Sequence, residues 1–343
     1  MLLTNWLDSK EGYINGRNKE AAPGFAGFIE QPTSRSVSSN VQHRSALVSG
    51  PVPFVNFDGP RVTDNPRGIA PPDPSGAIGI NHYVQMSNLI TEIFDRDGNT
   101  VLGPFPSNAF FTGLGGACEN DNDGDPIVLY DAVNSRWVVS QFALSASGLG
   151  KAQCIAVSEA DDPTGNYFAY EFQQPGFNDY PKLGLSPSGD ELFVTYRMFN
   201  ASDFMVGTII DYASMRNGAA ATEIAFSIED VLASSEPGLN VDGFLPVNYT
   251  GSTASTANGF FGGYLDDGVG ATADQFAVLE VTNFDFETGA IDVMLTKLSV
   301  DAFDSNFCGT FWGCIDQPAG GGALTRWLGS LCTRFRRVSL MGS

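Results

Sequence analysis

"DPIVLYDAVNSRWVVSQF", Asp125 to Phe142, is the stretch that decides the fold. An acidic residue and a proline lead into the apolar run "IVLY". The polar turn "DAVNSR" follows, and the aromatic-rich run "WVVSQF" leads back. Short β-branched and aromatic runs on either side of an Asp/Asn-rich turn read as an antiparallel hairpin.

The unit recurs along the chain. "DPSGAIGINHYVQMSN" begins at Asp73 and "DYPKLGLSPSGDELFVTY" at Asp179. "DGFLPVNYTGSTASTANGFFGGY", a looser version, begins at Asp242, so the spacings are 52, 54 and 63 residues (73 to 125, 125 to 179, 179 to 242). Further hairpins fill the intervals, among them "TEIFDRDGNTVLG", "QCIAVSEADDPTGNYFAYEF" and "QFAVLEVTNFDFETGAIDVML". Four strands in about 50–60 residues, repeated, is the pattern of β-propeller blades, whereas a two-sheet sandwich needs no such period. The sequence therefore predicts an all-β propeller of four-stranded blades, complete or cut short. The blades are expected over residues 68–318, after a polar leader or linker at 1–67. An atypical basic tail at 319–343 carries Arg326, Arg334, Arg336 and Arg337 and no acid. One short helix is expected at "SIEDVLASS", with Ser227 as N-cap and Asp230 three residues on.

Composition narrows the function. The chain has 343 residues, 43% of them hydrophobic, enough to bury a large core. Lys and Arg number 18 against 39 Asp and Glu, a net charge of −21. Such a field repels phosphate backbones and anionic lipid, which excludes nucleic acid as a partner and favours divalent cations. No apolar run approaches the ~18 residues that a membrane-spanning helix needs, so no membrane insertion is expected. The opening "MLLTNWLDSKEGYINGRNKE" carries neither a basic n-region nor a long apolar core, so no signal peptide is read there. Either the protein is intracellular or the chain starts inside a longer one. The cysteines favour the second. Cys118 and Cys154 flank two consecutive strand candidates, and Cys308 and Cys314 bracket "CGTFWGC". Both pairs read as disulfides of an oxidising compartment, with free buried thiols as the alternative.

The densest chemistry lies in "CENDNDGDPIVLYD", Cys118 to Asp131. Glu119, Asp121, Asp123 and Asp125 alternate through a turn, and hard cations want six to eight oxygens or so. Counted from Glu119, Gly124 stands sixth as in an EF-hand, but Tyr130 takes the twelfth place, so the loop is only partial. Ca²⁺ held by these four residues is the expected cofactor. A bare solvated turn and catalytic carboxylates are the competing readings. "DRDGN" at Asp95 to Asn99 is fully explained as a hairpin with Gly98 at positive φ.

The repeated acids Asp73, Asp125, Asp179 and Asp242 stand at equivalent repeat positions. In a propeller such positions ring one mouth of the channel, where carboxylates can bind sugar hydroxyls or perform glycosidase acid–base chemistry. The bland alternative is that each Asp caps its own turn. Tyr180, Lys182 and Arg197 lie nearby in sequence, suited to an acidic sugar or to β-elimination, or to plain structural roles. His82, on an apolar strand, reads as a packed residue, and no GxSxG, HExxH or phosphate-binding loop occurs in a supporting context.

"PPDPSGAIGINHYVQMSN", "DPIVLYDAVNSRWVVSQFA", "CIAVSEADDPTGNYFAYEF" and "DYPKLGLSPSGDELFVTY" together resemble a family of secreted bacterial β-propeller-like proteins, over about residues 68 to 318. The resemblance implies an extracellular or cell-surface location and the cysteine pairings above. It brings no reaction. The expected function is a binding or adhesion module for a glycan or a surface protein. The alternative is a polysaccharide-active glycoside hydrolase or lyase with its site at the propeller mouth. Two carboxylates from different blades meeting in one site would favour the hydrolase.

Overall fold

The computed structural model describes residues 55–305 except 66, 70, 145–150, 200–203 and 251–257; beyond residue 305 it describes the backbone of three short strands. Four successive antiparallel meanders form four blades. The first comprises β1 (Ser75–Ile78), β2 (His82–Ser87), β3 (Ile90–Asp95) and β4 (Thr100–Pro106). The second has β5 (Gly124–Asp131), β6 (Arg136–Ala143), β7 (Lys151–Ser158) and β8 (Tyr167–Gln174). In the third are β9 (Phe177–Leu185), β10 (Glu191–Phe199), β11 (Met205–Asp211) and β12 (Glu223–Ser227). The fourth has β13 (Leu245–Tyr249), β14 (Gly259–Leu265), β15 (Gln275–Asp285) and β16 (Ala290–Ser299). The first strands pack in the order β1, β5, β9, β13, so these are the innermost strands of a β-propeller.

Alternation explains why the central strands read as continuous apolar runs. Both faces of a middle blade are buried, and successive side chains serve opposite neighbours. On β6, Trp137 and Val139 pack towards blade 1 with Val84, Met86 and Ile93, while Val138 packs towards blade 3 with Leu183, Leu192 and Val194. A third cluster joins Phe193, Met205 and Ile209 of blade 3 to Phe261, Leu279 and Val281 of blade 4. Full burial of one such side chain stabilises the fold by about 1.5–3 kcal/mol.

The hairpin turns follow from their sequences. Asp131 Oδ1 accepts from the Val133 and Asn134 amides, each at 3.0 Å, and Gly98 adopts φ 87° in "DRDGN". The expected helix is present as Ile228–Leu232, with the Asp230 amide donating to Ser227 Oγ at 3.2 Å. We label it α3, after α1 (Gly116–Asn120) and α2 (Tyr212–Arg216), two short helices that the strand pattern concealed. The expected Cys118–Cys154 disulfide is formed and buried, tying α1 to β7. Cys308 lies outside the described residues, as does the side chain of Cys314 and as does His43.

The tail is not wholly detached from the blades. Within it β17 (Phe335–Arg337) pairs in parallel with β13, Val247 opposite Phe335 and Tyr249 opposite Arg337. Among the described residues no helix is long and apolar enough to cross a membrane.

The inner strands approach closely. A Cβ on Gly184 of β9 would lie 2.7 Å from the Val247 carbonyl oxygen of β13. Backbone cannot yield cheaply, so Gly184→Ala is expected to destabilise the protein by about 1–3 kcal/mol in urea denaturation. An unchanged midpoint would contradict this packing of blades 3 and 4.

Candidate active site at the propeller mouth

Each blade runs outward from its innermost strand, so the segments entering β1, β5, β9 and β13 share one end of the propeller with the β2–β3 and β14–β15 connections. Asp73, Asp125, Asp179 and Asp242 all lie at that end. Their equivalence is looser than the repeat suggests. Asp73 (φ 37°) and Asp125 (φ 50°) take the left-handed conformation just before a proline, but in blade 3 the residue that does so is Tyr180 (φ 52°). Asp179 therefore comes one residue earlier, and Asp242 lies well ahead of Pro246.

Asp73 and Asp125 are tied to neighbouring segments, whereas Asp179 and Asp242 each accept from the amide of the next residue, Tyr180 and Gly243. Asn88, in the β2–β3 turn, donates through Nδ2 to Asp73 Oδ2 at 2.6 Å and to the Pro71 carbonyl at 2.8 Å. Its Oδ1 accepts from the Asp125 amide at 2.8 Å. Asp125 Oδ2 in turn accepts from the Tyr180 amide of blade 3 at 3.2 Å. Gly124 makes this possible, since at φ 116° a Cβ there would meet Asn88 Oδ1 at 2.4 Å. The chain of bonds thus runs from blade 1 through blade 2 to blade 3.

Asp125 and Asp179 form a coupled pair. Burial, reinforced by the Asp179 charge, pushes the Asp125 carboxyl up to about 7, with Lys182 opposing. Burial also raises Asp179, against the Tyr180 amide, Arg197, Lys182 and a hydrogen bond from Asp125. The two carboxyls thus meet across the blades, and burial favours the protonated form of each. Lys182 Nζ lies 3.5 Å above the Tyr180 ring. Arg197 Nη1 reaches Asp242 Oδ2 at 3.3 Å, and its guanidinium lies 4.8 Å from each of the Phe199 and Phe204 rings. Burial lifts Asp242 to about 6 even so. Asn178, just before Asp179, donates to Gln153 Oε1 at 2.8 Å and so fixes the strand to blade 2.

Titration of these groups fixes the sign of the pH dependence. Asp125, Asp242 and the half-buried Glu223 of β12, the last lifted by burial to about 7, all favour their neutral forms in the folded state. Their stabilisation is complete below the ordinary carboxylate range and is lost as pH rises through 6 to 7. Allowing for partial solvent screening, the protein is expected to lose about 1–3 kcal/mol between roughly pH 5 and 8. Denaturant titrations across that range check it, and stability that rises with pH contradicts it.

Among the described residues, no three of Glu119, Asp121, Asp123 and Asp125 bring carboxylate oxygens within 4.8 Å of one another. Glu119 Oε2 accepts from the Gly115 amide at 2.7 Å, and Asp123 Oδ2 from the Leu144 amide at 2.8 Å. Asp121 ends α1, and Asp125 turns to the pair with Asp179. Among the described residues the carboxylates that do converge are Asp266, Asp267 and Asp274, in the β14–β15 connection. Two of them are engaged already. Asp266 accepts from the Gly268 and Ser305 amides, and Asp274 from those of Asp267 and Phe303. A cleft of about 150 Å³ runs between Asp242 and Asp266, beside Tyr264 and Val269. His82 opens β2 at the opposite end of the propeller, away from all of these groups.

Neither a protein-family model nor a curated protein matches the chain. Among solved structures, an exo-β-1,3-galactanase from Phanerochaete chrysosporium, crystallised with galactose, is similar at 11% identity and a TM-score of 0.37, over 68% of this chain and 51% of that one. The chain thus spans about half the length of that enzyme. An exo-1,5-α-L-arabinanase from a bovine ruminal metagenomic library matches at 11% identity and a TM-score of 0.33, over 67% of this chain and 93% of that one. An endo-arabinanase from Bacillus licheniformis matches at 13% identity and a TM-score of 0.31, over 67% and 94%. Superpositions this loose carry no information about the site.

Proposed function

We propose that this propeller is a polysaccharide-active glycoside hydrolase whose chemistry is done by the carboxyl groups at its mouth. The observation that carries the reading is the Asp125–Asp179 pair: buried, hydrogen-bonded carboxyls from two blades at one mouth of the propeller, with Asp125 pushed up to about 7 by burial. Glycosidic cleavage needs a carboxylic acid to protonate the leaving oxygen and a carboxylate to activate water or attack carbon. Asp125 holds the proton. Asp179 carries the pair's negative charge and resets the proton after each turnover. Asp242, raised by burial to about 6 and held by Arg197, serves as the second carboxylate.

The same acids would also serve a binding or adhesion module, as acceptors for sugar hydroxyls. What favours the hydrolase is the raised Asp125. Hydroxyls are bound best by ionised carboxylates, and a group kept protonated to about 7 is built to give its proton away. A glycan array run in parallel with reducing-sugar release on the glycans that bind separates the two. Release from at least one bound glycan is expected. Saturable binding without release would return the protein to the adhesion reading.

A further inference from the structure

Beyond β16 the chain stays with the propeller. Residues 300–305 run back along the mouth end from the outermost strand towards the inner ones, and two carboxylates pin them there. Asp274 Oδ2 accepts from the Phe303 amide at 2.9 Å, and Asp266 Oδ2 from the Ser305 amide at 2.5 Å. Their other oxygens close the β14–β15 connection itself. Asp274 Oδ1 accepts from the Asp267 amide at 3.0 Å, and Asp266 Oδ1 from the Gly268 amide at 2.7 Å. The Phe303 ring meets the Tyr264 ring edge to face, with 5.5 Å between centroids. These acids hold a wall in place, and the wall bounds the cleft of about 150 Å³ beside Asp242. The rest of the lining is the segment 239–242 ahead of β13, with Tyr264, Leu265 and Val269.

We propose that this cleft binds one uncharged sugar ring of the glycan, next to the bond that is cleaved. Its place beside that bond rests on the hydrolase reading, in which Asp242 both lines the cleft and serves as the second carboxylate. Its ligand class does not. The volume falls below the roughly 300–1,000 Å³ of pockets for drug-sized ligands, which suits a single ring and not a chain. The lining has the two characters that a sugar ring needs. Leu239, Val241, Leu265 and Val269 offer apolar surface to ring C–H groups, and Tyr264 adds an aromatic one. Asp242, Asp266, Ser305 and the exposed Asn240 offer oxygen acceptors to hydroxyls. Charge decides which sugar. Among the described residues no Lys or Arg lines the cleft, and nearby Arg197 is already engaged by Asp242 at 3.3 Å. A uronate would set its carboxylate against Asp242 and Asp266 with no cation to meet it. Hydroxyls donate to those same oxygens at no such cost.

Ligand-observed NMR on the full chain tests the site, with glucose, galactose, mannose, xylose and glucuronate as probes. At least one neutral sugar is expected to bind, and glucuronate at least about tenfold more weakly. Val269→Trp, which fills the cleft from an exposed position, should weaken that binding about tenfold or more, while Asp125→Asn leaves it in place. On a glycan that is cleaved, Val269→Trp should raise KM by a similar factor and keep kcat within about twofold, because ground state and transition state lose the same contact. Should Val269→Trp fail to fold, Asn240→Ala is read instead, for a loss of about threefold or more. Absence of binding by every neutral sugar overturns the proposal. So does binding that ignores the cleft variants, and so does glucuronate bound best. The hydrolase reading fails separately: sugar binding that Val269→Trp abolishes, with no glycan cleaved, keeps the cleft and removes the reaction.

Discussion

Asp125→Asn is expected to lower glycan hydrolysis by about 10²–10⁴-fold, the usual contribution of a positioned general acid. The amide keeps the size of the side chain and can still accept the Tyr180 amide proton, so the fold should survive. What it lacks is an ionisable proton. Glycan affinity should change little, which places the loss in kcat. Asp125→Glu keeps the proton but shifts its position, and should fall between the two. Asp179→Asn should also slow turnover. It removes the charge that helps to hold Asp125 protonated, so the pH at which activity fails should fall as well. Equal kcat in wild type and Asp125→Asn would remove the acid from the account.

Loss of the Cys118–Cys154 disulfide is expected to cost about 3–4 kcal/mol. The bridge spans a sequence separation of 36 residues, and constraining a loop of that length in the unfolded chain gives an effect of that size. Cys118→Ala/Cys154→Ala adds the smaller effect of two vacated positions in a fully buried cluster. A second consequence follows from what the bridge holds. α1 carries Cys118 directly into the Asp121–Asp125 segment, and the Cys118 amide donates to Glu171 Oε2 of β8 at 2.8 Å. Freed from β7, that segment should let Asp125 drift from the Tyr180 amide, so activity should fall at temperatures where the variant is still folded. Denaturation with and without reductant measures the first effect. A difference below about 1 kcal/mol would contradict it.

The blades could be read from sequence because period-2 patterning and turn chemistry are local. "WVVSQFA" can be buried on both faces only as a middle strand, and "DAVNSR" needs nothing but its own Asp131 to close. The site was less accessible. That four acids gather at one mouth follows from the repeat, but their partners depend on how blades stack. Asn88 in "QMSNLIT" looks like any turn residue, and only the stacking of blade 1 on blade 2 makes it the bridge between Asp73 and Asp125. The arrangement of the acidic loop depends on contacts of the same kind. Alternating acids imply a tight loop, but α1 takes up Glu119, and the Leu144 amide draws Asp123 away. The convergent trio Asp266, Asp267 and Asp274 had a visible signal in "DDGVGATAD", an acidic glycine-containing turn inside the loosest of the repeats.

The most direct test of the central claim is the pH dependence of kcat/KM on a glycan that the protein cleaves. Cleavage needs Asp242 ionised and Asp125 protonated, groups raised to about 6 and about 7. The profile should therefore be a narrow bell with its maximum between those values, and Asp125→Glu should move the alkaline limb while leaving the acid limb in place. A flat profile between roughly pH 5 and 8, or an alkaline limb indifferent to Asp125, would contradict the assignment of the mouth carboxyls as the catalytic acid and base.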